Sequence, residues 1–118
     1  MTANACYTSA LALLGEKENN YYRQFAPALM NRILCETLPQ QNALAANNGQ
    51  KPSTIAPQIM GLSEELQVPE ALAQICFPYR LAALLVNDDD KQKYNWLNAE
   101  FYEKLALYSP AEMTSIVQ

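Results

Sequence analysis

Asp88, Asp89 and Asp90 are the residues whose chemistry is easiest to state, because three adjacent carboxylates can offer oxygen ligands to a hard cation. Their spacing argues against that use. A calcium loop alternates its ligands, turns at a central glycine and closes with a glutamate; here neighbouring side chains diverge, and Lys91 and Lys93 follow at once. The run from Asn87 to Asp90 suits a corner better. An aspartate there caps the free N–H groups of the next helix and places negative charge at the positive end of its dipole. No metal site is expected.

The other reactive residue types lack the partners that chemistry needs. The chain has no histidine and no CxxC pair, which removes the commonest metal ligand, the commonest general base and the usual zinc spacing. Ser9, Thr54 and Ser63 have no base to activate them, and no GxSxG or P-loop pattern occurs. Cys6, Cys35 and Cys76 are odd in number, far apart and flanked by apolar residues, so they read as small buried thiols. The run "YYRQF", Tyr21 to Phe25, has the composition of a base-stacking platform, but without a basic groove it reads as packing plus a solvated Arg23. Arg80, inside a nearly apolar segment, requires an acidic partner, with Glu36, Glu100 and Glu103 as candidates for a structural ion pair. No catalytic, metal-binding or cofactor-binding residue is assigned, and the chain is not read as an enzyme.

Composition narrows the class. At 118 residues the chain has the size of one domain, residues 1–118, with 50% apolar and 17% charged residues and a net charge of -4. That balance gives no basic footprint for sequence-specific nucleic-acid binding, while a weakly charged surface suits contact with other proteins. The opening "MTANACYTSALALLGEKENN" has no basic leader and only a short apolar run, so neither secretion nor membrane insertion is expected. The cytoplasm is the expected site of folding.

Apolar residues recur at three and four, and alternating β-branched runs are missing, so the expected fold is all-α: a small bundle of about four helices. The first helix extends from about Thr2, its N-cap, to Leu14, with Gly15 as a left-handed C-cap. The second covers roughly Asn20 to Leu38, with Tyr22, Phe25, Leu29, Ile33 and Cys35 or Glu36 on successive turns and Leu29–Ile33 and Met30–Leu34 as i, i+4 pairs; it is kinked or begun at Pro27, with a bend at Pro39 and further helix up to about Ala46. Residues 47–69 hold two of the three glycines and three of the seven prolines. They read as a long irregular loop or arm, either wrapped on the core through Ile55, Ile59, Met60 and Leu62 or used in subunit contact. The third helix starts near Pro69 and is buried all round from Leu81 to Val86, with Pro78 as a kink or restart. The fourth spans about Asp90 to Leu107 with Tyr94, Leu97, Phe101, Leu105 and Tyr108 on one stripe. Trp96 and Tyr102 lie off that stripe and read as interface anchors or as part of a wide apolar face. A C-terminal tail, 109–118, is too short to stand alone. The residues expected to form a subunit or partner interface are Trp96, Tyr102, Ile55, Ile59, Met60, Ile116 and Val117.

Three stretches, "ALALLGEKENNYYRQFAPALMNRILCETL", "LSEELQVPEALAQICFPYRLAALLVNDDD" and "KQKYNWLNAEFYEKL", give the chain an order of helix lengths and residue types that resembles the small helical head-to-tail connector proteins (head completion or adaptor proteins) of tailed bacteriophages and prophages. "PYRLAALL" followed by acids is the most distinctive part, with Arg80 where a small residue such as glycine is expected. The resemblance implies a virion structural protein that forms a ring of about a dozen copies under the portal after DNA packaging. Its partners would be the portal protein and a stopper or tail-completion protein. DNA would pass through its channel without sequence-specific binding, and the protein would move from host cytoplasm to the head-tail junction. The competing reading is a small cytoplasmic helical protein that regulates or inhibits a host protein through the Trp96 face.

Overall fold

The computed structural model describes residues 1–108, so the tail with Ile116 and Val117 lies outside the described residues. It is all-helical: α1 (Ala3–Leu14), α2 (Asn20–Glu36), α3 (Leu38–Asn47), α4 (Glu70–Val86) and α5 (Lys91–Leu105), followed by a 3-10 turn, Ala106–Tyr108. Extended pairing among the described residues is limited to one antiparallel bridge between Thr2 and Glu65. Among the described residues there are thus five α-helices where about four were expected. The additional division falls at Thr37, because Pro39 sits in the first turn of α3, where its missing N–H costs nothing.

That corner is stitched from inside. The Thr37 hydroxyl donates to the Ile33 carbonyl at 2.8 Å, and the buried Gln41 amide donates to the Leu34 carbonyl at 2.8 Å and to Thr37 Oγ1 at 3.0 Å. The Ile33 carbonyl thus accepts from both the N–H and the hydroxyl of Thr37, and the Leu34 carbonyl in the last turn of α2 finds its partner in a side chain.

α4 is the centre of the molecule. Leu72, Ala73, Cys76, Phe77, Leu81, Ala82 and Ala83 are at most 1% exposed, and α1, α2 and α5 all pack on it. Small side chains at Ala73, Ala82 and Ala83 let the surrounding helices come close. Pro27 and Pro78 stand inside α2 and α4, which continue past them. From α1 come Ala3, Cys6, Tyr7, Ala10, Leu11 and Leu14; from α5 come Leu97, Phe101 and Leu105. Burial pushes the Cys6 thiol up to about 12 and the Cys76 thiol up to about 11, which makes both inert. Cys35 departs from the expected buried state: it is exposed, because it falls one step past Leu34 and turns off the core face of α2.

The caps follow the sequence closely. Thr2 accepts from the Ala5 N–H, and Gly15 takes the left-handed φ of 68° that ends α1. At the α4–α5 corner the N–H groups of Asp89 and Asp90 donate to the Val86 carbonyl at 2.9 and 3.0 Å, and Asp90 Oδ1 accepts from the Lys93 N–H at 3.0 Å. The cap belongs to Asp90 alone. Asp90→Ala is expected to cost about 1 kcal/mol of stability, while Asp88→Ala and Asp89→Ala, both exposed, should stay within about 0.5 kcal/mol; urea unfolding of the three variants separates them.

Residues 48–69 have no regular structure and cross from the end of α3 to the start of α4 as a strap. Backbone bonds from Ala3 N–H to the Glu64 carbonyl, Asn4 N–H to Leu62 and Leu66 N–H to Met1 fasten it to the beginning of α1.

Candidate interaction surfaces

An ion pair between the buried Arg80 and the partly exposed Glu36 fixes three helices relative to one another. Arg80 of α4, with 5% of its side chain exposed, donates from Nε to Glu36 Oε1 at 2.9 Å and from Nη2 to Oε2 at 2.8 Å. Its Nη1 donates to Asn98 Oδ1 of α5 at 2.8 Å, and its guanidinium lies 5.9 Å from the centre of the Phe101 ring. The fork geometry holds the end of α2 and the middle of α5 on opposite sides of one planar cation. Of the three acids that the sequence offers, Glu36 is the partner; Glu100 instead accepts from Lys104 at 2.8 Å. The guanidinium draws the Glu36 carboxyl below its ordinary value, with Arg32 adding to the effect from 3.2 Å. Asn98 and then Arg80 also hold the Tyr94 phenol low.

On the far side of α5 the helix is uncovered. Gln92, Asn95, Trp96, Ala99, Tyr102, Glu103 and Ala106 are all exposed and share one side, spaced by three and four. A water-facing helix side normally carries several charges, and beyond Lys91 at its start this one has only Glu103. Trp96 is 54% and Tyr102 is 56% exposed, with the Tyr102 ring stacked edge-on over Phe101 at 5.0 Å. The two aromatics therefore stand on the surface, on a side that the other described residues leave open.

The strap presents a second surface. Ile55 is 77% and Met60 is 93% exposed. Ile59 does not belong with them: it is buried in the core beside Leu62 and Leu66, where it pins the strap, so its expected place in an interface is corrected. Two asparagines clip the strap from α2 and α3. Asn31 Nδ2 donates to the Ile59 carbonyl at 2.9 Å while the Ile59 N–H donates to Asn31 Oδ1 at 2.8 Å. Asn42 does the same to Ser53, at 2.8 and 2.9 Å. Glu64 Oε2 accepts from the N–H groups of Met60 and Gly61. Each clip satisfies a residue's donor and acceptor together, as a neighbouring strand would, and so fixes a segment that has no ladder of its own. Asn31→Ala should cost about 1–2 kcal/mol and raise hydrogen exchange at the Ile59 amide selectively; unchanged exchange there would show the clip to be idle.

A third surface was not legible as such in the sequence. The buried stripe of α2 is Tyr22, Ala26, Met30, Ile33 and Leu34, not the expected Tyr22, Phe25, Leu29 and Ile33. Both follow helical spacing, and the position of α4 selects between them. Phe25 is consequently exposed and Leu29 only half-buried, and with Tyr21 they form a second apolar row at i, i+4 and i+8. Between this row and Leu84 and Leu85 of α4 lies a groove of about 240 Å³ with Asp88 at its edge. Tyr21 and Phe25 meet edge to face at 5.2 Å along it. Burial, then the carboxylates of Glu16 and Asp89, raise the Tyr22 phenol, and Asp88 is the one charged residue that lines the groove. Arg23 points elsewhere and pairs with Glu18 at 2.7 Å, which in turn accepts from the Tyr7 hydroxyl at 2.6 Å.

Among the described residues no three metal-ligating side chains converge, and no helix is long and apolar enough to cross a membrane. No family model, curated protein or solved structure matches the chain.

Proposed function

We propose that the protein is a structural assembly subunit, a head-to-tail connector of a tailed bacteriophage or prophage that forms a ring beneath the portal and joins the DNA-filled head to the tail. The observation that carries this reading is the number of uncovered apolar surfaces on so small a body: the Trp96 side of α5, the strap edge at Ile55 and Met60, and the Tyr21–Phe25 groove. A ring subunit sandwiched between two other components needs contacts to like neighbours and to both components, and isolated monomers rarely leave such patches open. The net charge of -4 suits a channel past which DNA slides without sticking. The bundle of helices with its long strap would serve as the ring's repeating block, with portal and stopper or tail-completion proteins as partners.

Removal of the gene from the producing phage or prophage tests the reading. Electron microscopy should show packaged or leaking heads without tails, and purified particles from the intact strain should contain the protein. Normal tailed particles in its absence would refute it, and recovery of a host enzyme bound to the Trp96 side, with none of the protein in virions, would favour a regulator.

A further inference from the structure

We propose that the strap of one copy, through Lys51, Ile55 and Met60, docks into the α2–α4 groove of a second copy, so that the protein associates head to tail. This contact supplies the lateral contact of the proposed ring and in that sense rests on the connector reading.

The strap has the properties of an insert. Ile55 and Met60 are among its most exposed side chains, yet the backbone that carries them is fixed, with Ser53 clipped by Asn42 two residues before Ile55 and Ile59 clipped by Asn31 one residue before Met60. A backbone already fixed in place loses little conformational freedom on docking. Lys51 is exposed and has no ion-pair partner among the described residues.

The groove has the properties of the receptor. Its walls are the rings of Tyr21 and Phe25 with Leu29 and Leu84, no cation lines it, and its end carries Asp88 with Glu16 and Asp89 close by. An occupant must therefore bring apolar side chains and a positive charge at one end. Within this chain the strap meets that demand. On α5 the exposed Lys91 is already engaged, donating to Asn87 Oδ1 at 2.9 Å and lying over the Tyr94 ring, while residues 109–118 hold Glu112 and no cation. Ile55 and Phe25 are both exposed in one copy, so the two surfaces do not meet within a subunit. Because insert and receptor are different patches, the contact is heterologous and repeats from copy to copy until it closes. The Trp96 side remains free for a different component.

Charge reversal tests the contact on the full chain. Lys51→Glu alone, and Asp88→Lys combined with Asp89→Lys, should each weaken self-association about tenfold or more in sedimentation velocity, while an equimolar mixture of the two proteins should regain it. All these positions are exposed and none is the Asp90 cap, and circular dichroism checks that the fold is kept. In a Cys35→Ser background, Ile55→Cys together with Phe25→Cys should give a ladder of disulfide-linked multimers on oxidation, and Trp96→Cys with Phe25→Cys should not. A wild-type protein that stays monomeric near its solubility limit would overturn the contact, as would association indifferent to both charge reversals, or cross-linking through Trp96 instead. Those results bear on the contact alone. The connector reading stands or falls on the particle phenotype, since tail loss with a ring built on other faces would sink the contact and keep the function.

Discussion

Glu36→Ala is expected to destabilise the protein by about 3 kcal/mol, the low end of what breaking a buried ion pair costs. The loss arises less from the attraction removed than from the cation left behind: Arg80, 5% exposed, keeps neutral neighbours, Asn98, Tyr94 and the Phe101 ring, but no anion. Glu36 itself is 29% exposed, so water can reach part of the vacated space, which places the cost at the low end of the range. For a chain of this size the melting temperature should fall by roughly 10 °C or more. Replacing both residues with apolar ones of similar volume, Arg80→Met with Glu36→Leu, should recover most of the stability. If Glu36→Ala melted like the wild type, Arg80 would have to be solvated in a way its burial denies.

The same pair sets an acid limit. Because Arg80 and Arg32 hold the folded Glu36 carboxyl below its ordinary value of 4.5, the stabilisation is complete above that value and is lost as pH falls through the lower, folded-state value. Wild-type stability should therefore drop in this acid window. Glu36→Gln should lack that part of the drop while being less stable at neutral pH.

Phe101→Ala should cost about 3–5 kcal/mol. Phe101 is 1% exposed, sits against the Arg80 guanidinium on one side and supports the Tyr102 ring on the other. Its removal opens a cavity in the seam by which α5 lies on α4, so the open side of α5 would lose its support as well. Trp96→Ala provides the contrast. It is exposed, so stability should change by no more than about 0.5 kcal/mol, whereas binding of whichever component covers that side should fall by about 2 kcal/mol. Denaturant unfolding together with a particle-assembly assay separates the two roles; equal stability losses would show Trp96 to be packed rather than presented.

The elements that local chemistry determines were legible in the sequence. Thr2 and Gly15 bound α1, Asp90 caps α5, and the continuous apolar run of α4 marks it as central because no side of it can face water. What depended on a partner was harder to read. Tyr22–Phe25–Leu29–Ile33 and Tyr22–Ala26–Met30–Ile33 are both valid helical stripes, and only the approach of α4 chooses the second. Cys35 was misplaced for the same reason. The asparagine clips carry no sequence signature, since Asn31 and Asn42 look like ordinary polar positions until residues 28 and 11 places away meet them. A trace of the groove was present, because Tyr21 and Phe25 at i, i+4 make an aromatic row that the main stripe does not need.

The position of α4 also orders events during synthesis. α1 and α2 bury their apolar sides mainly against a helix that begins at Glu70, and the start of α1 is fastened by Leu62, Glu64 and Leu66. As the chain leaves the ribosome, its first two helices therefore emerge well before the surface that shelters them. Their Leu11, Leu14, Met30 and Leu34 face solvent through that interval, which is when a chaperone would engage this protein. The α4–α5 hairpin, joined by a corner of four residues, can assemble quickly once translated and then gather the earlier helices onto itself.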